Sequence, residues 1–105
     1  MRKIIDGIRY DTDKAIEIGE YSSPHPVSDF QWWQATLYRT PRSGRYFLAG
    51  EGGPMTSFAQ PSALGGMSYG SKVTPLSRQD ALAWAEQYLD SDVVEAEFSD
   101  LIQDA

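Results

Sequence analysis

The chain has 105 residues, no cysteine and a formal net charge of −6. Its 41% hydrophobic and 12% aromatic content is that of a globular chain rather than a disordered one, and its length is that of one domain, here residues 1–105. Lack of cysteine excludes disulfides, thiolate metal sites and cysteine nucleophiles, and a domain of this size buries roughly two thirds of its unfolded surface, enough to fold without a metal or a crosslink.

The charge is unevenly spread. From Gln79 onward there are eight acids, Asp80, Glu86, Asp90, Asp92, Glu95, Glu97, Asp100 and Asp104, and no Lys or Arg, whereas nine basic residues face seven acids before that point. The acidic balance, concentrated in the last quarter of a chain otherwise nearly neutral, serves either solubility or a surface that repels nucleic acid and attracts basic proteins. No run of about 18 apolar residues is present to span a membrane. The opening MRKIIDGIRY lacks the apolar region and cleavage site of a signal peptide, so a cytoplasmic protein is expected.

In chain order, Asp6-Gly7 between Lys3-Ile4-Ile5 and Ile8-Arg9-Tyr10 predicts a two-residue β-hairpin, because that turn needs positive φ. Asp11-Thr12-Asp13 is a helix-capping cluster and predicts a helix over about 13–21, with Ala15, Ile16 and Tyr21 inward. Ser22–Ser28, with prolines on both sides of His25, is a loop. Asp29 opens the central hairpin, the most apolar stretch of the chain. Its first strand carries Phe30, Trp32, Gln34, Thr36 and Tyr38 on one face and Trp33, Ala35 and Leu37 on the other. A turn at Pro41–Gly44 leads to a second strand over 45–49, with Tyr46 and Leu48 opposite Phe47. Apolar groups on both faces predict helices over one side and a partly wet other side.

Gly50–Pro54 is expected to break the sheet. Residues 55–60 are expected to form a helical turn with Met55, Phe58 and Ala59 inward, and 61–71 a loop. Lys72-Val73-Thr74 predicts a short strand that Pro75 confines to an edge or a strand end. Ser77 followed by Asp80 is a variant capping box and starts a helix. Ala81, Trp84, Ala85, Tyr88 and Leu89 form its inward stripe. Ser91 caps a second helix bearing Val94, Phe98, Leu101 and Ile102. The expected fold is α+β: an antiparallel sheet of N-terminal hairpin, long central hairpin and short edge strand, with two to three helices on one face.

KIIDGIRYDT, TLYRT, GRYFLAGEGGPM and TPLSRQDALAWAEQYL occur in this order from Lys3 to Leu89. The ordered set resembles a family of small bacterial proteins often carried by phages and mobile elements. The chain departs from the family pattern at Ala35, where an acid is common, at Asp80, where Glu is usual, and in the SSPHPVS loop. The resemblance implies no enzymatic activity and no cofactor; it implies an accessory role such as inhibition of host defence, anti-CRISPR proteins included.

The candidate sites are weighed on their chemistry. GEGGPM offers Gly-flanked backbone N–H groups around Glu51; it is either a turn in which Glu51 bonds local backbone or a binding surface. It lacks both the phosphate-loop and dinucleotide spacings. His25, the single histidine, has no neighbours spaced for a metal site and no nucleophile elbow to serve, and is read as an exposed loop residue. Paired carboxylates at the C-terminus lie on helix faces rather than in a glycosidase cleft. Glu86, Asp90, Asp92, Glu95, Glu97 and Asp100 are either a solvated face or a row that imitates a phosphate backbone in the basic channel of a nucleic-acid-handling protein. Trp32, Trp33 and Arg39 are either core or a base-stacking platform. The leading expectation is a non-enzymatic inhibitor whose partner is a host defence protein such as a CRISPR effector or a surveillance-complex subunit. The alternative is a nucleic-acid or small-ligand binder using Trp32, Trp33, Arg39 and the Glu51 loop.

Overall fold

The computed structural model describes residues 1–105. The strands are β1 (Arg2–Ile5), β2 (Ile8–Asp11), β3 (Ile16–Ser22), β4 (Trp33–Arg39), β5 (Tyr46–Gly52), β6 (Gln60–Pro61), β7 (Met67–Ser68) and β8 (Gly70–Leu76); the helices are α1 (Arg78–Tyr88) and α2 (Ser91–Phe98), followed by a 3-10 turn at Ser99–Leu101. The fold is α+β. Its centre is the β4–β5 hairpin, paired antiparallel from Arg39↔Tyr46 to Trp33↔Gly52, and the main sheet runs β3-β4-β5-β8.

The alternation read from the sequence holds on both faces. Ala35, Leu37, Tyr46 and Leu48 face the helices and pack with Phe58, Ala81, Ala85, Val94 and Phe98. Phe47 faces the other way, into a smaller cluster with Tyr10 and Val73, flanked by Ile5, Ile8, Ala15, Tyr38 and Ala49. The N-terminal hairpin turns at Asp6 (φ 51) and Gly7 (φ 76), as its Asp-Gly pair dictates. It is not part of the main sheet. It forms its own two-stranded sheet and lies over the Phe47 face, because a sheet with large apolar groups on both sides needs a cover on each.

The helix expected over 13–21 is instead β3, antiparallel to β4. Capping chemistry at Asp11–Asp13 is used for a turn: the Asp13 N–H donates to Asp11 Oδ1 at 3.0 Å. The β-branched Ile16 and Ile18 then fill the open edge of β4, and Gly19 would have weakened a helix. The pairing passes from Glu17↔Tyr38 to Gly19↔Leu37, so Ile18 is the extra residue of a β-bulge. A bulge reverses the side-chain parity. Ile16 opposite Arg39 and, beyond the bulge, Gly19 opposite Leu37 and Tyr21 opposite Ala35 therefore all lie on the helix side.

Other boundaries move. Asp29 closes a turn instead of opening a strand, its carboxylate accepting from the Gln31 N–H at 2.7 Å, and Phe30 is left exposed. β5 continues through Gly50-Glu51-Gly52 because β8 supplies a second partner down to Gly52↔Gly70. Residues 55–58 form turns, not a helical turn, and Gln60 already belongs to β6, with Phe58 buried but Met55 exposed. The 61–71 stretch contains the small β6–β7 hairpin. β8 is an edge strand, which accommodates Pro75. Ser77 caps α1, its Oγ accepting from the Asp80 N–H at 3.1 Å, whereas the N-cap of α2 is Asp90, not Ser91.

Phe98 ties α2 to the sheet: it is fully buried, with its ring 5.3 Å from that of Tyr46. Phe98→Ala should cost about 3–5 kcal/mol of stability, read as a lower urea midpoint. A loss below roughly 1 kcal/mol, the level of an ordinary surface change, would mean that α2 is not packed as described.

Candidate functional site

The acidic residues are carried by α1, α2 and the 3-10 turn, and they divide into two sets. Glu86, Asp90, Asp92 and Glu95 are exposed. Glu97 is not: its Oε2 accepts from Arg39 Nε at 2.7 Å and from the Tyr46 hydroxyl at 2.5 Å. Asp100 is held in a two-pronged pair by the Arg78 guanidinium, at 2.6 and 2.5 Å. Two members of the expected row are thus bound internally and their charge is offset. Glu97 fastens α2 to the central hairpin, and Asp100 fastens the chain after α2 to the start of α1. The hydrogen bonds from Arg78 hold the Asp100 carboxyl below its ordinary range.

The exposed acids sit beside apolar grooves. One, of about 480 Å³, is lined by Leu82, Leu89, Val94, Leu101 and Ile102, with Glu86 and Glu95 among its polar residues and no Lys or Arg. On the other side of α2, Ile16, Ile18, Val93 and Ala96 line a second groove with Glu17, Asp92 and Glu97. α2 is therefore a ridge between two apolar troughs, with carboxylates along both.

The aromatic hairpin is not an open stacking platform. Trp32 is buried and stacks on Tyr69, with centroids 6.2 Å apart. Trp33 is half-buried among Tyr21, Phe58 and Tyr88, with centroids 5.3, 6.1 and 5.1 Å away. Arg39 is committed to Glu97. These three expected anchors do not converge on one exposed face.

The Glu51 loop is built for close packing. Gly52 and Gly53 are buried. The Gly53 N–H donates to the Trp32 carbonyl at 2.8 Å, and a Cβ on Gly53 would lie 2.6 Å from the Phe30 carbonyl oxygen. Only glycine permits that approach. Glu51 points to the opposite face of β5, near Tyr69. Tyr69 is exposed, but local desolvation of its hydroxyl, with the Glu51 carboxylate beside it, pushes that phenol up to about 12.

The sequence reading missed a depression larger than either groove beside α2. A cleft of about 610 Å³ lies between α1 and the loops before β4 and after β5. Trp33, Phe58, Trp84 and Tyr88 form its aromatic wall, and Lys72, His25, Gln31 and Gln87 are among its polar residues. His25 is half-buried there, not a freely exposed loop residue. Trp84 and Tyr88 belong to the expected inward stripe of α1, but only Ala81 and Ala85 of that stripe are fully buried. The available signal was size: residues as large as Trp and Tyr at the edge of a helical stripe leave part of each ring uncovered. No group of three or more His, Asp or Glu comes together to hold a metal ion.

No family model matches the chain, and neither a curated protein nor a solved structure matches it.

Burial, and then the hydrogen bond to Glu97, raise the Tyr46 hydroxyl above the ordinary tyrosine range, and burial also raises Tyr38. An acid whose folded pKa is raised stabilises the fold below its unfolded value, and that contribution is lost as pH climbs through the folded value. Stability should therefore fall as pH rises above about 10. Tyr46→Phe should reduce the slope of the urea midpoint against pH in that range; an unchanged slope would show that Tyr46 does not titrate with unfolding.

Gly53→Ala should destabilise the fold by about 1–3 kcal/mol through overpacking against Phe30. Glu51→Gln should leave stability within roughly 0.5 kcal/mol. Thermal melts of the two variants make the comparison.

Proposed function

We propose that this chain is a non-enzymatic binding module of the phage and mobile-element type, acting in the cytoplasm as an inhibitor of a host nucleic-acid-handling protein. The sharpest form of the reading is an anti-CRISPR protein whose partner is an effector nuclease or a surveillance-complex subunit. The observation that carries it is the α1–α2 groove: Leu82, Leu89, Val94, Leu101 and Ile102 with Glu86 and Glu95, and no basic side chain. An apolar trough rimmed by carboxylates complements a basic surface that also offers apolar side chains. A protein that handles nucleic acid carries such a surface, because its Lys and Arg must neutralise phosphate. The resemblance of the chain to phage-borne accessory proteins supports the same reading.

The acids do unequal work in this account. Glu86, Asp90, Asp92 and Glu95 are free to meet the partner, while Glu97 and Asp100 hold α2 and its C-terminal turn in place through Arg39, Tyr46 and Arg78. Steering by exposed carboxylates acts mainly on association rate and is screened by salt.

A pull-down from host lysate containing an active CRISPR system, followed by titration of the recovered protein, tests the reading. Combined Glu86→Gln, Asp92→Asn and Glu95→Gln should weaken the complex by roughly 10-fold or more at low salt and flatten its salt dependence. Unchanged affinity would overturn the acidic-surface mechanism. Failure to recover any nucleic-acid-handling protein, with an abundant effector present, would overturn the inhibitor role.

A further inference from the structure

The cleft on the other side of α1 has a chemistry unlike the rest of the surface. In a chain of net charge −6, its lining includes no Asp or Glu, and it contains Lys72 and the single histidine, His25. Lys72 lies on the helix face of β8, with its Nζ 5.7 Å from the centroid of the Phe58 ring. It makes neither of the two ion pairs in the structure, which are Arg39–Glu97 and Arg78–Asp100. The cleft is about 610 Å³, within the range of small-molecule sites.

Its walls are flat rings packed on one another. Trp33 and Phe58 have centroids 6.1 Å apart, Trp33 and Tyr88 5.1 Å, and Trp84 and Tyr88 5.1 Å. Gln31, Gln87 and Thr74 add neutral donors and acceptors. We propose that this cleft binds a small planar aromatic ligand bearing one anionic group, its ring against the uncovered parts of Trp33, Trp84 and Tyr88 and its carboxylate or phosphate at Lys72.

Each part of that description follows from a lining feature. Aromatic walls favour a flat ring, which gains stacking as well as burial. A lysine with no carboxylate partner favours an anion and can give it a charge-assisted hydrogen bond. One lysine, in a molecule whose overall field repels polyanions, favours a single small anionic group over a nucleic-acid strand. The site is separate from the α1–α2 groove: Trp84, Gln87 and Tyr88 line one side of α1, while Leu82, Glu86 and Leu89 line the other. It stands or falls independently of the inhibitor reading.

The test is a titration of the intact chain at low salt, followed by tryptophan fluorescence and by the shifts of the indole N–H signals. The probes are nucleoside 5′-monophosphates and indole carboxylates, with the corresponding nucleosides and indole as uncharged controls. One of the two anionic classes should bind saturably and at least about 10-fold tighter than its uncharged control, perturbing the Trp33 and Trp84 indole signals. Which class binds identifies the anionic group as phosphate or carboxylate. Lys72→Met, an exposed change that keeps the aliphatic stem, should weaken that binding about 10-fold and leave the urea midpoint in place. No saturable binding by either class would overturn the proposal, as would equal affinity for charged and uncharged rings, or unchanged binding by Lys72→Met with an unchanged fold.

Discussion

The structure depends on one constraint: the β4–β5 hairpin is apolar on both faces. Ala35, Leu37, Tyr46 and Leu48 project to one side and Phe47 to the other. A sheet of this kind is stable only if each face is taken out of water. α1 and α2 cover the first face and the N-terminal hairpin covers the second. The Ile16–Val93 groove beside α2 and the aromatic cleft beside α1 reach strand residues at the edges of the helical cover, whereas the other groove lies between α1 and α2 themselves.

The helical cover is fastened by polar contacts as well as by packing. Glu97 reaches from α2 to Arg39 and Tyr46 at the turn end of the central hairpin, and Arg78 reaches from α1 to Asp100 beyond α2. Glu97 is the more consequential of the two, because its side chain is only 15% exposed and is satisfied by two donors. The Arg78–Asp100 pair is more open to solvent and so contributes less to stability. The acidic quarter of the chain thus has two functions: some carboxylates hold the layer together, and the others charge its outer surface.

α1 separates two environments of opposite character. On one side Glu86 meets an aliphatic trough shared with α2. On the other, Trp84 and Tyr88 meet Trp33, Phe58 and Lys72 in an acid-free cleft. Eleven helical residues from Arg78 to Tyr88 are enough to do this because residues at successive positions point about 100° apart around the axis. A partner for the first surface would need basic and aliphatic groups, and a ligand for the second would need a ring and an anion.

Local chemistry legible in the sequence determined the two-residue turn at Asp6-Gly7, the alternation along the central hairpin, the cap at Ser77 and the α+β class, since each depends on residues a few positions apart. The acidic outer surface was legible for the same reason: charge excess is a property of composition. Tertiary structure alone decided that residues 16–22 form a strand, because the unpaired edge of β4 outweighed a local capping signal. It also decided that the N-terminal hairpin crosses the far face, that Glu97 and Asp100 are tied down by Arg39, Tyr46 and Arg78, and that Lys72 faces Phe58 in a cleft without acids. Those outcomes join distant positions, Arg39 and Glu97 being 58 residues apart, and they are set by which faces must be covered, a requirement no short stretch of sequence contains.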